Sequence, residues 1–354
     1  MKKEYEPIAE IRKKLHINWY RCPIDSTKLR ALTSRNNLRG TFQIAGHLLL
    51  IALTGFATFH FFKQKIWAGF AITLFAHGTF YSFIPGLATH ELSHGTVFRT
   101  KWLNEVFLRF MSLISWFNHH NDKMSHTYHH LYTLHPSGDR EIVLPVKPAI
   151  HALFIFQLFT INIIGGGEPW SFSIQRVFGQ VKLALTGKFE TEWLQAVFTN
   201  QVEARKKAIA WARLLLLFNA GLIAVSVIFR LWPLIFLVTS APFIANWLRY
   251  FVSAPMHTGL RDNVADFRLC VRTLTLDPFT SFLYWRINWH TEHHMYAAVP
   301  CYNLKKLHRT ISTDMPKPRT IIEAWREMRQ TWRHQRKDST YQFDTPLPQS
   351  STDP

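Results

Sequence analysis

Residues Trp116 to Leu134 read WFNHHNDKMSHTYHHLYTL and hold five histidines within twelve positions: His119, His120, His126, His129 and His130. Average composition does not produce that density. His126, His129 and His130 stand at i, i+3 and i+4, so a helix through this stretch gathers their rings on one face. Three neutral imidazoles converging on one face make a metal site. Two more clusters flank the stretch: His90 and His94 in HELSH upstream, and His290, His293 and His294 in HTEHH downstream. Together the three boxes supply eight imidazoles, whereas one ion takes only about four to six ligands. Two metals sharing the set is the economical arrangement. Imidazole suits iron, zinc and copper alike, so ligand type does not choose the metal.

The rest of the chain is organised to bring these boxes together. Of 354 residues, 47% are hydrophobic and 15% aromatic, yet mean hydropathy is only −0.04. The apolar residues are therefore clustered. Thr41 to Phe62 is apolar for about 22 residues, enough to cross ~30 Å of hydrocarbon. After Lys63-Gln64-Lys65, a second span runs from Ile66 to Ile84 and ends at Pro85-Gly86. Ala208 to Phe229 and Leu231 to Val252 form a second hairpin of spans. None of the four holds Asp or Glu. The expected fold is an all-α integral membrane protein: four transmembrane helices as two hairpins, with a cytosolic helical cap holding a di-metal site. Lys101 to Phe117 carries Val106, Phe110, Leu113 and Phe117 at helical spacing, which predicts an amphipathic helix. Ala149 to Ile164 is too short for a full span and reads as a re-entrant or interfacial helix. Gly165 to Trp170 reads as a turn at the membrane edge.

Charge sets the orientation. Residues 1–40 hold ten Lys/Arg against four Asp/Glu, and residues 85–207 and 253–354 are also rich in Lys/Arg. The two hairpin turns hold only Lys63, Lys65 and Arg230. By the positive-inside rule both termini and all three boxes lie on the cytosolic side of a multi-pass protein, in a bacterial inner membrane or the endoplasmic reticulum. Residues 1–40 read as a cytosolic segment on the membrane surface, 41–310 as the membrane domain with its cap, and 311–354 as a basic segment with a disordered tail from Lys337. The net charge of +18 fits anionic membrane lipids or an acidic partner. Nucleic acid is disfavoured, because the basic residues flank apolar spans. Cys22, Cys270 and Cys301 are odd in number and far apart, which argues against disulfides, a thiolate zinc site or an iron–sulfur cluster.

HELSH, HTYHH and HTEHH, in that order, with about 30 residues between the first two and two spans before the third, resemble the three histidine boxes of the membrane-bound fatty acid desaturase superfamily, which includes hydroxylases. The resemblance runs from Asn37 to His308, and NWHTEHH carries the usual preceding Asn288. It implies a di-iron centre, O2 as co-substrate, a lipid or acyl-chain substrate, and a ninth ligand just after the fourth span, where His257 stands in SAPMHTGL. The implied ligands are thus His90, His94, His126, His129, His130, His257, His290, His293 and His294. The implied outcome is a double bond, with hydroxylation as the alternative. Since the chain shows no flavin motif, haem domain or cysteine cluster, its electrons would come from a separate ferredoxin or cytochrome b5 type donor.

Other residues are weighed beside these. His119 and His120 are alternative or supporting groups, and the role of His135 stays open. His47, His60 and His77 read as packing residues of the spans. Glu91, Asp122, Asp139, Glu141, Asp262 and Glu292 are acids placed to orient the ring N–H groups of bound imidazoles. Arg99, Lys101, Arg140 and Arg249 are candidates for holding an acyl head group at the rim of a tunnel lined by Phe, Trp and Leu. HELSH also fits the HExxH signature of zinc proteases, with Glu91 as base, but that reading leaves both HxxHH boxes unused. A metal transporter would need polar ligands in mid-membrane, where the spans have no acids.

Overall fold

The computed structural model describes residues 8–144, 147–166 and 172–348. The fold is mostly helical, and three helices are long and apolar enough to cross a membrane: Asn37–Lys63, Trp67–Ser93 and Val202–Ile228. The first is capped by Asn36, whose side chain accepts the Arg39 N–H and satisfies one of the four donors a helix start leaves open. It ends at Lys63, and Lys65 turns the chain with φ 56° straight into the second helix, as the tight hairpin predicts. Of the most apolar 18-residue stretch, only 17% in the first helix and 22% in the third is buried. Leu49, Leu53, Phe56, Leu217 and Ile228 point outward from them. So much exposed apolar surface suits hydrocarbon rather than water.

The second helix departs from expectation at its end. Pro85-Gly86 was expected to stop it. Instead, regular helix to Tyr81 passes through a wide turn at Ile84–Ala88 and resumes over Thr89–Ser93. Pro85 takes an extended ψ of 126° and Gly86 a φ of 73°, a left-handed conformation that glycine adopts without the Cβ clash. The bend redirects the last helical turn and aims HELSH.

The fourth predicted span is not a continuous helix. Leu231–Val252 breaks into a wide turn at Ile235–Thr239, a tight one at Ala241–Phe243, and a short helix at Trp247–Ser253. Pro233 and Pro242 lack the N–H that a helix interior needs. The freed backbone bonds elsewhere: Asn162 N–H donates to Phe243 O at 2.8 Å and Ala245 N–H to Thr160 O at 2.9 Å, and Ile161 and Ile244 form an antiparallel bridge. The partner strand comes from the segment expected to be re-entrant, whose helix is Ala152–Phe159. Each irregular segment thus satisfies the other, as buried non-helical backbone requires. Gly165 and Gly166 are described, whereas the Gly167–Trp170 part of the expected turn lies outside the described residues.

The amphipathic helix forms at Lys101–Ile114, but it buries Asn104, Leu108, Met111 and Ser112. Val106 and Phe110, on the apolar face expected either to lie at an interface or to pack on the core, are 50% and 44% exposed beside Trp102. That apolar stripe faces outward. The third box sits on the short helix His290–Met295, packed beside Phe267–Cys270 and Leu304–Ile311. One feature departs from the all-α expectation: Leu274–Thr275 pairs in parallel with Arg319–Thr320. The N-terminal segment is tied into the helical region, with Trp19 stacked on Phe267 at 4.0 Å and Tyr20 bridged to Asp266. The chain after Lys337 is likewise held: Phe343 N–H donates to Gly259 O at 2.7 Å, and Arg261 pairs with Asp344 at 3.1 Å. The disorder expected there is not seen through Pro348, and residues 349–354 lie outside the described range.

Candidate metal centre

The second-box helix spans His119–Tyr132 and is capped by Asn118. Around a helix of 3.6 residues per turn, His126 and His130 lie about 40° apart, while His129 is turned about 100° from His130. One helix thereby presents rings to two neighbouring points. The third box repeats the device, with His290 and His294 on one side and His293 on another. The result is two all-histidine groups, with a third of His126, His129 and Glu141 straddling them. His90, His94, His126, His130 and His293 form one, and His129, His257, His290 and His294 form the other, with the ligand atoms of each within 4.8 Å of one another. All nine sequence-selected histidines are present. The nitrogens converge closely: His90 Nε2 lies 2.7 Å from His126 Nε2, and His290 Nε2 lies 3.1 and 3.2 Å from those of His257 and His294.

The outer ring nitrogens explain which atoms point inward. His126 Nδ1 meets Glu141 Oε1 at 3.1 Å and His129 Nδ1 meets Asp139 Oδ2 at 2.8 Å. His257 Nδ1 donates to the Cys270 carbonyl at 3.0 Å. Thr133 Oγ1 gives its own proton to His129 O at 2.6 Å, so it accepts from His294 Nδ1 at 3.1 Å. A proton held at Nδ1 leaves the Nε2 lone pair facing inward, the tautomer a metal needs. Glu91, fully buried, lies 3.2 Å from His90 Nδ1 and 3.5 Å from His293 Nδ1. His94 Nε2, both nitrogens of His130 and His293 Nε2 are buried with no hydrogen-bond partner among the described residues. Such orphaned nitrogens are costly, and lone pairs crowded within about 3 Å repel unless a cation stands between them. The donor set therefore fits two metal ions with imidazole ligands.

Electrostatics keeps the donors neutral. Burial, reinforced by neighbouring imidazoles, pushes His130, His257, His290, His293 and His294 well below the ordinary histidine range, and His94 to about 3. His129 is the exception: burial opposes its protonated form, but the Asp139 carboxylate outweighs it and raises the pKa.

Among the expected acids, Glu91, Asp139 and Glu141 do face histidine rings. Glu292 instead bonds His308 at 2.5 Å and Thr273 at 2.7 Å, and the backbone N–H of Asp262 donates to Gln342 Oε1 at 3.2 Å. Thr133 and the Cys270 carbonyl were not foreseen, since a lone Thr and a backbone oxygen leave no sequence signal. Among the spare histidines, His119 packs edge-on to Trp211 at 4.4 Å and His135 edge-on to Trp19 at 5.4 Å. Neither belongs to a cluster, nor does His120. His47 bridges Trp285 and the Phe80 carbonyl, and His77 bonds the Leu237 carbonyl, which are packing roles between helices. His60 is exposed beside Phe56 and Phe61. The three cysteines are buried free thiols.

A cavity of about 480 Å³ opens on the centre, lined by His90 and His126 of one group and His129, His257 and His290 of the other. Of the four basic residues proposed for a head group, Arg140 and Arg249 line it and Arg99 and Lys101 do not. Trp116, Phe117, Phe172 and Trp193 supply aromatic wall, and Arg176, which the sequence did not single out, stands among them.

No curated protein matches the chain. The fatty acid desaturase family matches residues 65–325, a stretch that begins at the turn before the second apolar helix and takes in all three boxes and His257. That family is one of desaturase- and hydroxylase-type lipid oxidoreductases, which accords with histidine clusters set beside apolar helices. By that match, over well more than half its length, the chain belongs to the fatty acid desaturase family.

Proposed function

We propose that the protein is an O2-dependent di-iron membrane oxidase that introduces a double bond into an acyl chain or related lipid. The observation that carries this reading is the division of nine imidazoles into sets of five and four, each gathered within 4.8 Å. Iron held there would activate O2 and take hydrogen from an unactivated C–H, chemistry that a neutral ligand set favours by leaving the ions strongly positive. His90, His94, His126, His130 and His293 hold one ion, and His129, His257, His290 and His294 the other. Asp139, Glu141, Thr133 and the Cys270 carbonyl fix four of these rings with Nε2 inward. None of the nine is assigned a proton-transfer role. The aromatic wall shields the centre from bulk water and positions the substrate, and its geometry decides between a second hydrogen removal and oxygen return.

The reading of HELSH as a protease motif is disfavoured, because its two imidazoles share their cluster with His126, His130 and His293. In topology, Leu231–Val252 would complete a fourth, broken crossing, with the metal centre and both termini on the cytosolic side. The basic cytosolic face then suits an acidic ferredoxin or cytochrome b5 type donor. Lipid profiling of cells expressing the protein, against a His290→Ala control, tests the activity. Desaturation shows as a product lighter by two hydrogens, and hydroxylation as one heavier by an oxygen. Identical profiles in cells containing the iron-loaded protein would overturn the reading.

A further inference from the structure

The cavity beside the metal centre has a charged wall that metal binding does not use. Arg249 projects from the short helix Trp247–Ser253 and is only 5% exposed. Its Nε and Nη1 have no hydrogen-bond partner among the described residues. Its guanidinium lies 5.6 Å from the Phe172 ring centre, and the guanidinium of Arg176 lies 5.7 Å from the same ring. Two like charges are thus held around one aromatic face, and both residues line the cavity. Room for Arg249 is made by the kink before HELSH: a Cβ on Gly86 would sit 3.2 Å from Arg249 Nη2. Arginine stays charged at any working pH, and a buried charge without a hydrogen-bonded partner costs several kcal/mol. Asp122 lines the same cavity, but no ion pair joins it to Arg249 among the described residues. Its carboxyl is pushed up to about 7 by burial, so it is a weak counter-charge.

We propose that Arg249 is the anchor of an anion pocket, and that the substrate carries an anionic head group, carboxylate or phosphate, close to the carbon that is oxidised. Closeness follows from size. The same cavity of about 480 Å³ holds both Arg249 and five of the metal-facing histidines, a volume suited to a small molecule rather than to a long chain anchored at a distant rim. Arg249 lies in a segment of membrane character, where ionisable groups persist for a function. This inference deepens the oxidase reading and rests on it for the word substrate, but the pocket itself is tested by binding alone.

The test uses the full-length, iron-loaded protein in lipid nanodiscs, with 1-octanol, octanoate and octyl phosphate as probes, each followed by ligand-detected NMR titration. Wild type is expected to bind one of the anionic probes roughly 10- to 100-fold more tightly than octanol, the worth of a charge-assisted hydrogen bond. Arg249→Gln should abolish that preference while leaving octanol binding in place, and Arg249→Lys should restore part of it. Which anion wins identifies the head group. Equal affinity of wild type for all three probes would overturn the proposal, and so would a preference that survives in Arg249→Gln. If Arg249→Gln fails to fold, Arg249→Lys carries the comparison, and equal affinity of wild type for all three probes still overturns the proposal. Iron content, measured on the same samples, separates the two claims. Two irons per chain without anion preference removes the pocket and leaves the oxidase, whereas anion preference without iron does the reverse.

Discussion

Asp139 offers the sharpest test of how the two histidine sets are held. Its carboxylate is fully buried and takes three hydrogen bonds: from His129 Nδ1 at 2.8 Å and Leu134 N–H at 3.0 Å on Oδ2, and from Glu141 N–H at 2.9 Å on Oδ1. It therefore fixes the tautomer of His129 and, through the backbone of Glu141, the residue that orients His126. Asp139→Asn keeps the shape but turns an N–H₂ toward two donors or leaves them with one weaker acceptor. Removing such an outer partner lowers metal affinity by about 10- to 100-fold. Each stranded donor also costs the fold about 1–3 kcal/mol.

His129 belongs to the four-imidazole set, so the loss should fall there first. The assay is iron per chain by mass spectrometry after equilibration with a graded series of chelators, with a thermal melt on the same sample. Wild type is expected to hold two irons and Asp139→Asn to drop toward one at chelator strengths that wild type resists. Asp277→Asn is the control. Asp277 is exposed and caps the helix Pro278–Leu283, so its loss costs about 0.5–2 kcal/mol of stability and should leave both irons bound. If Asp139→Asn keeps two irons with unchanged chelator resistance, the orientation argument is wrong.

Three further outcomes follow from individual contacts. In the metal-free protein, burial holds Asp122 at about 7 against an ordinary aspartate value near 4. The unfolded chain loses that proton first, so stability falls as pH rises from about 4 to 7. Asp122→Asn should therefore stabilise the protein more at pH 8 than at pH 5, by up to a few kcal/mol, and a melting difference independent of pH would count against it. Gly86→Ala places a Cβ at φ 73°, costing about 1–2 kcal/mol, and crowds Arg249. A lowered melting temperature with anion binding weakened is expected, and an unchanged melt would show that the kink relaxes freely. His119→Ala removes a ring packed on Trp211, so it should lower stability while iron stays at two per chain. Loss of iron would make His119 a ligand.

Much of the site was legible because imidazole spacing is a local code. Once His126, His129 and His130 share a helix, their angular offsets are fixed, and the i, i+4 pairs His90/His94, His126/His130 and His290/His294 each stay within one set. His257 was not legible in that way. It is a lone histidine in an apolar stretch, and only the likeness to a family singled it out. The outer partners divided by chemistry: acids are rare enough near the boxes to be noticed, so Glu91, Asp139 and Glu141 were found, but proximity in sequence also suggested Glu292, whose carboxylate turns away to His308.

The continuity of the helix over Leu231–Val252 was misjudged for a deeper reason. Hydropathy counts which side chains tolerate lipid, whereas helicity there depends on where backbone N–H and C=O groups find partners. Pro233 and Pro242 removed two donors, and Ile161 of another segment supplied the bridge. The two places where regular helix fails are also the two that shape the site. The bend at Pro85-Gly86 aims His90 and clears space for Arg249, and the broken element delivers Arg249 and then His257. Straight helices at either place would close the same backbone bonds at lower cost. The extra complexity is what an arrangement needs when a charged group and five of the nine histidines must line one cavity beside apolar helices.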